Sequence, residues 1–261
     1  MSFDQALNFV PLFVLVFFRT AGLMLAAPLF GSAKIPRRVK VMLALVMSVG
    51  LVNNVTVPPN LPDNPLQLAF GVGGELVFGL IMGLGLSLTF IAISWAGEIM
   101  GQQMGFNLAE TFDPAMGSGG SLVGDLYFML TLVIFMFIGG HRAMVLGLAA
   151  SFKTLPVLQA GMSAGLFDLF ASLLTAATVL AVKVAAPMLV TMLVVDVALG
   201  FLGKTVPQIN VMNAGLTLRA GLGIVVLVVG LVLTSEVMRD SLYDSLVQIT
   251  DVWRNKAVAQ G

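Results

Sequence analysis

The chain reads Gly97-Glu98-Ile99-Met100-Gly101-Gln102-Gln103-Met104-Gly105-Phe106-Asn107-Leu108-Ala109-Glu110-Thr111-Phe112-Asp113-Pro114 between two long apolar segments. This polar stretch leads into a glycine-serine patch at residues 116–120. Backbone that is not regularly helical at membrane depth is tolerated only where protein buries it or water reaches it. The stretch is therefore either an ordinary aqueous loop or a re-entrant segment that lines a path.

The glycines of this stretch recur at a spacing of four residues. On a helix, Gly97, Gly101 and Gly105 form one stripe, which lets another backbone approach closely. Each glycine also costs about 1 kcal/mol relative to alanine in a helix interior. The stripe therefore suits a moving part, although a packing face followed by a plain loop fits the same residues.

The composition predicts a membrane protein. Of the 261 residues, 58% are hydrophobic and only 10% are charged, and the mean hydropathy is +1.01. A soluble domain carries about 25% charged residues. We therefore predict an all-α, multi-span integral membrane protein, with residues 1–261 forming one helical domain. The chain has no cysteine, which excludes disulfides and thiolate sites.

About six apolar segments are long enough to be predicted as membrane helices, since about 20 residues cross the hydrocarbon. They cover residues 8–30, 41–57, 66–96, 122–138, 167–202 and 213–235. The basic turn at 36–40 is predicted to be cytoplasmic. Apolar residues recur at helical spacing among charges over 236–256, which predicts an amphipathic C-terminal helix.

Five charged residues interrupt the apolar segments and are predicted to be buried, and buried charges in such segments are costly and mark function or assembly. They are Arg19, Glu75, Lys183, Asp196 and Arg219. On a straight helix, Lys183 and Asp196 are about 20 Å apart, so each needs a partner in another segment or subunit. Simple alternation of six spans also conflicts with the positions of the basic residues, which indicates that some segments pack against other proteins.

No catalytic constellation is recognisable. His141 is the only histidine and has no metal-ligand spacing. Residues 198–205 approach a phosphate-loop pattern, but an apolar helix precedes them, bulky Phe201 and Leu202 fill the loop and Pro207 follows closely. We expect a non-enzyme without cofactor or metal, and the zero net charge suggests no nucleic-acid partner.

The central residues resemble the motif of the FliR family, components of the flagellar type III protein-export apparatus. The resemblance is carried by Gly97–Gly105 and Phe112-Asp113-Pro114, and it continues along nearly the whole chain at 36–40, 140–142, 151–156, 186–187, 198–200 and 207–210. Gly101-Gln102-Gln103-Met104-Gly105 favours the flagellar branch over the virulence-injectisome branch. Leu216-Thr217 departs from the family, which more often has a phenylalanine-proline pair there.

The resemblance implies a subunit of an export gate in the bacterial inner membrane, at the flagellar basal body. It implies helical hairpins that pack on FliP and FliQ, beside FlhB and FlhA, with unfolded flagellar export substrates passing through the channel and membrane lipid around it. It also implies that residues of the 97–121 stretch plug the closed pore. These are Gly105, Phe106, Asn107, Leu108, Glu110, Thr111, Phe112, Asp113, Pro114, Met116 and Gly117.

Three other readings remain open. A virulence (injectisome) type III secretion homologue is the alternative within the same resemblance. The broken apolar segments and internal charges also fit a small-solute secondary transporter, which would be expected to contain an internal repeat, and none is convincing here. A purely architectural scaffold would use the central stretch only for packing.

Overall fold

The chain folds entirely into helices over the residues that the structure describes. This computed structural model describes residues 3–31, 35–53, 55, 64–106, 121–158, 164–206 and 211–258. The helices in these ranges are α1 (Phe3–Ala26), α2 (Arg37–Val52), α3 (Pro65–Met104), α4 (Leu122–Phe137), α5 (Gly140–Thr154), α6 (Ala164–Thr205) and α7 (Val211–Val258). The described ranges contain no strand. The prediction of an all-α, multi-span membrane protein is confirmed.

Among the described residues, four helices are long and apolar enough to cross a membrane, rather than about six. The candidate spans are Phe9–Ala26, Pro65–Met104, Phe170–Thr205 and Asn213–Val247, and α4 with α5 would make a fifth if they form one broken span. The difference arises mainly at α2, whose 16 residues are fewer than the roughly 20 that a span needs. The predicted amphipathic helix at 236–256 is not separate, because it continues α7.

The chain forms two compact units, each assembled from several sequence segments. Unit 1 comprises residues 1–88, 139–174 and 242–261, and unit 2 comprises 89–138 and 175–241. The boundaries fall inside α3, α6 and α7 as well as between α4 and α5. We predicted one domain over 1–261, and at the boundaries inside α3, α6 and α7 a continuous helix runs from one unit to the other without a linker.

In unit 1, α1 and α3 approach each other through glycines. A Cβ atom added at Gly22 would lie 2.9 Å from the backbone nitrogen of Leu80, and one at Gly83 would lie 2.8 Å from the carbonyl oxygen of Leu23. The hydroxyl of Ser87 donates a hydrogen bond to the carbonyl oxygen of Ala26. Side chains larger than hydrogen would therefore separate these helices.

The α2 helix buries only a narrow stripe. Lys40, Ala44, Ser48 and Val52 recur at a spacing of four and are buried, while most of its other large apolar side chains are exposed. The ammonium group of Lys40 donates to the carbonyl oxygen of Gly31 over 3.1 Å, so the last residue of the predicted basic turn 36–40 faces inward. Arg37 and Arg38 are exposed.

In unit 2, a core rich in methionine lies between the end of α3, α4, α6 and α7. Its buried residues are Ala92, Ile93, Ala96, Met100, Met104, Val123, Tyr127, Leu180, Ala181, Val184, Ala185, Met188, Met192 and Met238. Methionine is unbranched and flexible, so it fills irregular gaps between helices. This methionine-rich core supports the last turns of α3, where the central polar stretch begins.

Candidate functional site

The central stretch begins at a sharply defined helix end. Gly105 has a φ of +82°, and its backbone N–H donates to the carbonyl oxygen of Gln102 over 3.0 Å. The N–H of Phe106 donates to the carbonyl oxygen of Gly101 over 3.1 Å. These two bonds form a Schellman motif, in which glycine takes the left-handed position that other residues avoid. Phe106 packs against the methionine-rich core, so the helix end is anchored.

The three glycines of the predicted stripe have two different structural roles. A Cβ atom at Gly97 would lie 2.7 Å from the carbonyl oxygen of Val123 and 2.8 Å from Cα of Gly124, and one at Gly101 would lie 2.9 Å from Oγ of Ser121. Gly97 and Gly101 therefore let the start of α4 rest directly on α3. Gly105, the third residue of the predicted stripe, ends the helix instead.

The chain thus leaves α3 and re-enters α4 at neighbouring points. Ser121 caps α4, because its hydroxyl accepts a hydrogen bond from the N–H of Gly124 over 3.3 Å, and the same hydroxyl lies beside Gly101. Of the predicted plug residues, Gly105 and Phe106 are described. The others lie outside the described residues: Asn107, Leu108, Glu110, Thr111, Phe112, Asp113, Pro114, Met116 and Gly117.

Arg19 and Glu75 form a buried ion pair in unit 1. Both side chains have no exposed surface, and Nε of Arg19 lies 2.5 Å from Oε2 of Glu75. Nη1 of Arg19 also donates to the carbonyl oxygen of Leu155 over 3.0 Å, and Oε1 of Glu75 accepts from the N–H of Leu158 over 2.8 Å. The pair therefore fastens the turn after α5 to α1 and α3.

Asp196 and Arg219 form a second ion pair, in unit 2. Oδ1 of Asp196 lies 2.5 Å from Nη2 of Arg219, and the two side chains are 42% and 39% exposed. Asp196 thus has its partner in another segment, as predicted from its distance to Lys183 along the helix. The expectation of buried charges is wrong for Lys183, which is exposed on α6 and forms no ion pair among the described residues, and it holds only partly for Asp196 and Arg219.

Two further positions were not singled out in the sequence. Gly215 packs against Leu199, and Gly223 packs against Met104. Together with Arg219 they recur at a spacing of four on α7, and this spacing is the signal from which they can be identified. Residues 198–205 lie within helical α6, which rules out a phosphate loop there. The described residues contain no group of three or more histidine or acidic side chains placed to hold a metal ion.

Comparison with known proteins identifies the family. The family model described as bacterial export proteins, family 1, matches residues 10–245. The chain is 30% identical to the flagellar biosynthetic protein FliR of Bacillus subtilis, with 91% of this chain and 92% of the relative covered. It is 31% identical to FliR of Pectobacterium carotovorum, with 87% and 86% covered. It is 26% identical to the surface presentation of antigens protein SpaR of Shigella sonnei, with 81% and 82% covered. The chain belongs to the bacterial export proteins, family 1, the family that includes the flagellar biosynthetic protein FliR.

Proposed function

We propose that this protein is a non-enzymatic subunit of a flagellar protein-export gate and that residues 107–120 plug its closed pore. The observation that carries the proposal is the anchoring of this segment at both ends, by the Schellman motif at Gly105 and by Ser121 beside Gly101, in a chain of this family. The flagellar names of the relatives support the flagellar assignment.

A plug needs a base that stays in place while the segment itself moves. The base here consists of the last turn of α3 and the first turn of α4, which pack without intervening side chains at Gly97 and Gly101. The segment between them contains Gly117, Gly119 and Gly120, which carry no side chain and permit conformations that other residues avoid. A rigid base with a glycine-containing segment is the arrangement expected of a movable closure.

We further propose that the chain assembles with FliP- and FliQ-type proteins, beside FlhB and FlhA, in the inner membrane at the flagellar basal body. Only 11% of the residues in the 18-residue apolar window of α7 are buried within the chain, which supports a large additional contact surface. The half-exposed pair of Asp196 and Arg219 on apolar helices also fits a position at a subunit boundary or beside water. Unfolded flagellar subunits would be the cargo.

The test is replacement of residues 107–120 by a short glycine-serine linker that joins Phe106 to Ser121. The variant is co-expressed with the FliP- and FliQ-type proteins of the same bacterium and purified in mild detergent. We expect normal co-purification and a several-fold higher ion flux through vesicles that contain the complex. An assembled complex whose ion flux equals that of the unaltered complex would contradict the plug assignment.

The similarity to SpaR supports one alternative, a role in a virulence export apparatus. The two roles differ in cargo, so deletion of the gene distinguishes them. We expect loss of external flagellar filaments and of motility. Retained motility together with lost secretion of host-directed proteins would instead assign the chain to the virulence branch.

A further inference from the structure

Three residues on one face of α7 contact the rest of unit 2. Gly215, Arg219 and Gly223 recur every four residues and therefore lie on the same side of the helix. Gly215 meets Leu199 of α6, since a Cβ atom at Gly215 would lie 3.1 Å from Cδ1 of Leu199. The next two turns carry the Arg219 ion pair and the Gly223 contact.

Gly223 makes room for the side chain of Met104, the last residue of α3. A Cβ atom at this position would overlap Cγ of Met104 and would lie 3.0 Å from its Cε and 3.1 Å from its Sδ. Met104 is 1% exposed and immediately precedes Gly105, where the Schellman motif ends the helix. The side chain of Met104 therefore occupies space that exists only because residue 223 has no side chain.

The ion pair sets the register of α7 one turn from the contact between Gly223 and Met104. Arg219 contacts Asp196 of α6, and Met192, one turn before Asp196, belongs to the same buried core as Met104. Both charged side chains are more than a third exposed, although Oδ1 of Asp196, the oxygen of the pair, is itself buried, so a neighbour that moves beside the exposed parts can disturb the pair. The register of α7 thus depends on a contact that is open to outside influence.

We propose that α7 is the latch for the base of the 107–120 plug. While Arg219 pairs with Asp196, Gly223 stays over Met104 and the end of α3 is held against the core. Displacement of α7 would free Met104 and loosen the point where the plug begins. This inference rests on the proposed plug function and names the contact that regulates it.

Two properties of unit 2 make such a movement feasible. Within the 18-residue apolar window of α7 only 11% of the residues are buried, so much of this helix is not held by the rest of the chain. The core beneath it contains Met100, Met188, Met192 and Met238 besides Met104, and flexible methionine side chains can repack around a shifted helix. A partner that binds the exposed surface of α7 would therefore act on the plug through Met104.

The first test is Gly223→Ala in the assembled complex. We expect co-purification with the FliP- and FliQ-type proteins to be retained and ion flux through vesicles to rise several-fold, because the added methyl group displaces Met104. The matched control is Gly221→Ala on the same helix, since a Cβ atom there has no heavy atom within 4 Å. The control should leave the ion flux unchanged.

A double variant tests whether Met104 transmits the effect. Met104→Ala alone should also raise the ion flux, because it removes the side chain that packs on Gly223. Gly223→Ala added to Met104→Ala should raise it little further, since the methyl group then meets no Met104 side chain; contacting residues show such non-additivity. Two independent, fully additive increases would contradict the contact.

The second test acts on the register contact. Asp196→Asn keeps the side-chain size and removes the charge, and we expect an assembled complex with raised ion flux. Asp240→Asn on α7 is the matched control, because Asp240 belongs to an exposed pair with Arg239 and lies 17 residues beyond Gly223 along the helix. Its flux should equal that of the unaltered complex.

The outcomes separate the latch from the plug itself. If replacement of residues 107–120 does not raise the flux, the plug assignment fails. If that replacement raises the flux while assembled Gly223→Ala and Asp196→Asn complexes stay closed, only the latch is overturned. If the Gly223→Ala complex does not assemble, the ion flux of the Asp196→Asn complex decides whether the latch exists. If neither variant assembles, the latch proposal is overturned, because the contacts would then be needed for folding.

Discussion

Arg19 shows how a membrane helix accommodates a charge at full burial. Its Nε contacts Glu75 and its Nη1 bonds the turn after α5, while the guanidinium carbon lies 4.6 Å and 4.4 Å from the ring centroids of Phe78 and Phe152. Aromatic faces attract a cation, especially when water is absent. The pair is therefore compensated on several sides, and its main contribution is to specify how α1, α3 and the α5 turn meet.

Removal of one partner of this pair should destabilise the protein strongly. We expect Glu75→Gln to lower the free energy of unfolding by about 3 kcal/mol, because it leaves the Arg19 charge buried without a counter-charge. The measurement is the thermal unfolding midpoint in detergent. Asp240→Asn, which removes the carboxylate of an exposed pair, should leave the midpoint unchanged. Equal effects of the two substitutions would contradict the structural role of the buried pair.

The contact between α3 and α4 shows what spaced glycines accomplish for two helices. At Gly97 the nearest atoms to an added Cβ belong to the backbone of Val123 and Gly124, which cannot rotate away as a side chain can. The contact therefore fixes the distance between the helices at the point where the 107–120 segment begins and ends. The same logic governs α1 and α3 at Gly22 and Gly79, where the facing atoms are also backbone.

A single methyl group should disturb this helix contact. We expect Gly97→Ala to destabilise the chain by about 1–3 kcal/mol, because overpacking outweighs the gain in helix propensity. The control is Gly73→Ala on α3, where a Cβ atom has no heavy atom within 4 Å. That control should be neutral or stabilising by up to about 1 kcal/mol. Thermal unfolding of both variants checks the prediction, and a stabilised Gly97→Ala protein would refute it.

The distribution of exposed apolar surface indicates how the protein is used. Within the 18-residue apolar window of each span, 61% of the residues of α3 are buried within the chain, whereas 11% of those of α7 are. Val229 and Val232, for example, are 59% and 73% exposed. A membrane-embedded subunit leaves such a helix uncovered when neighbouring proteins or lipid complete its packing.

A photo-crosslinking amino acid at Val229 or Val232 should distinguish these two surroundings. If α7 packs on partner subunits, irradiation of the assembled complex will produce a covalent adduct with another chain. The control is the same variant expressed without its partners, which should yield no such adduct. The absence of protein adducts from both positions in an assembled complex would indicate that lipid covers this surface.

Some features were accessible from sequence because they depend on composition and spacing alone. Too few charged residues to cover a water-facing surface indicated the membrane class, and the four-residue spacing of Gly97 and Gly101 indicated close helix packing. The burial of Arg19 and Glu75 was also foreseeable from their position in apolar segments. Their pairing was not, because the two residues belong to different helices and the pattern of each helix specifies a face without naming its neighbour.

What the amino-acid order decided about this protein is its helical membrane character and its family, since hydropathy and local motifs survive in any arrangement of the helices. Tertiary packing alone decided that Gly105 caps α3, that Asp196 meets Arg219 while Lys183 is exposed, and that Gly223 makes room for Met104. These outcomes depend on which helix faces approach one another and how closely. Which faces approach one another is determined by the combined packing of segments that are distant in sequence, so the sequence of one segment does not determine it.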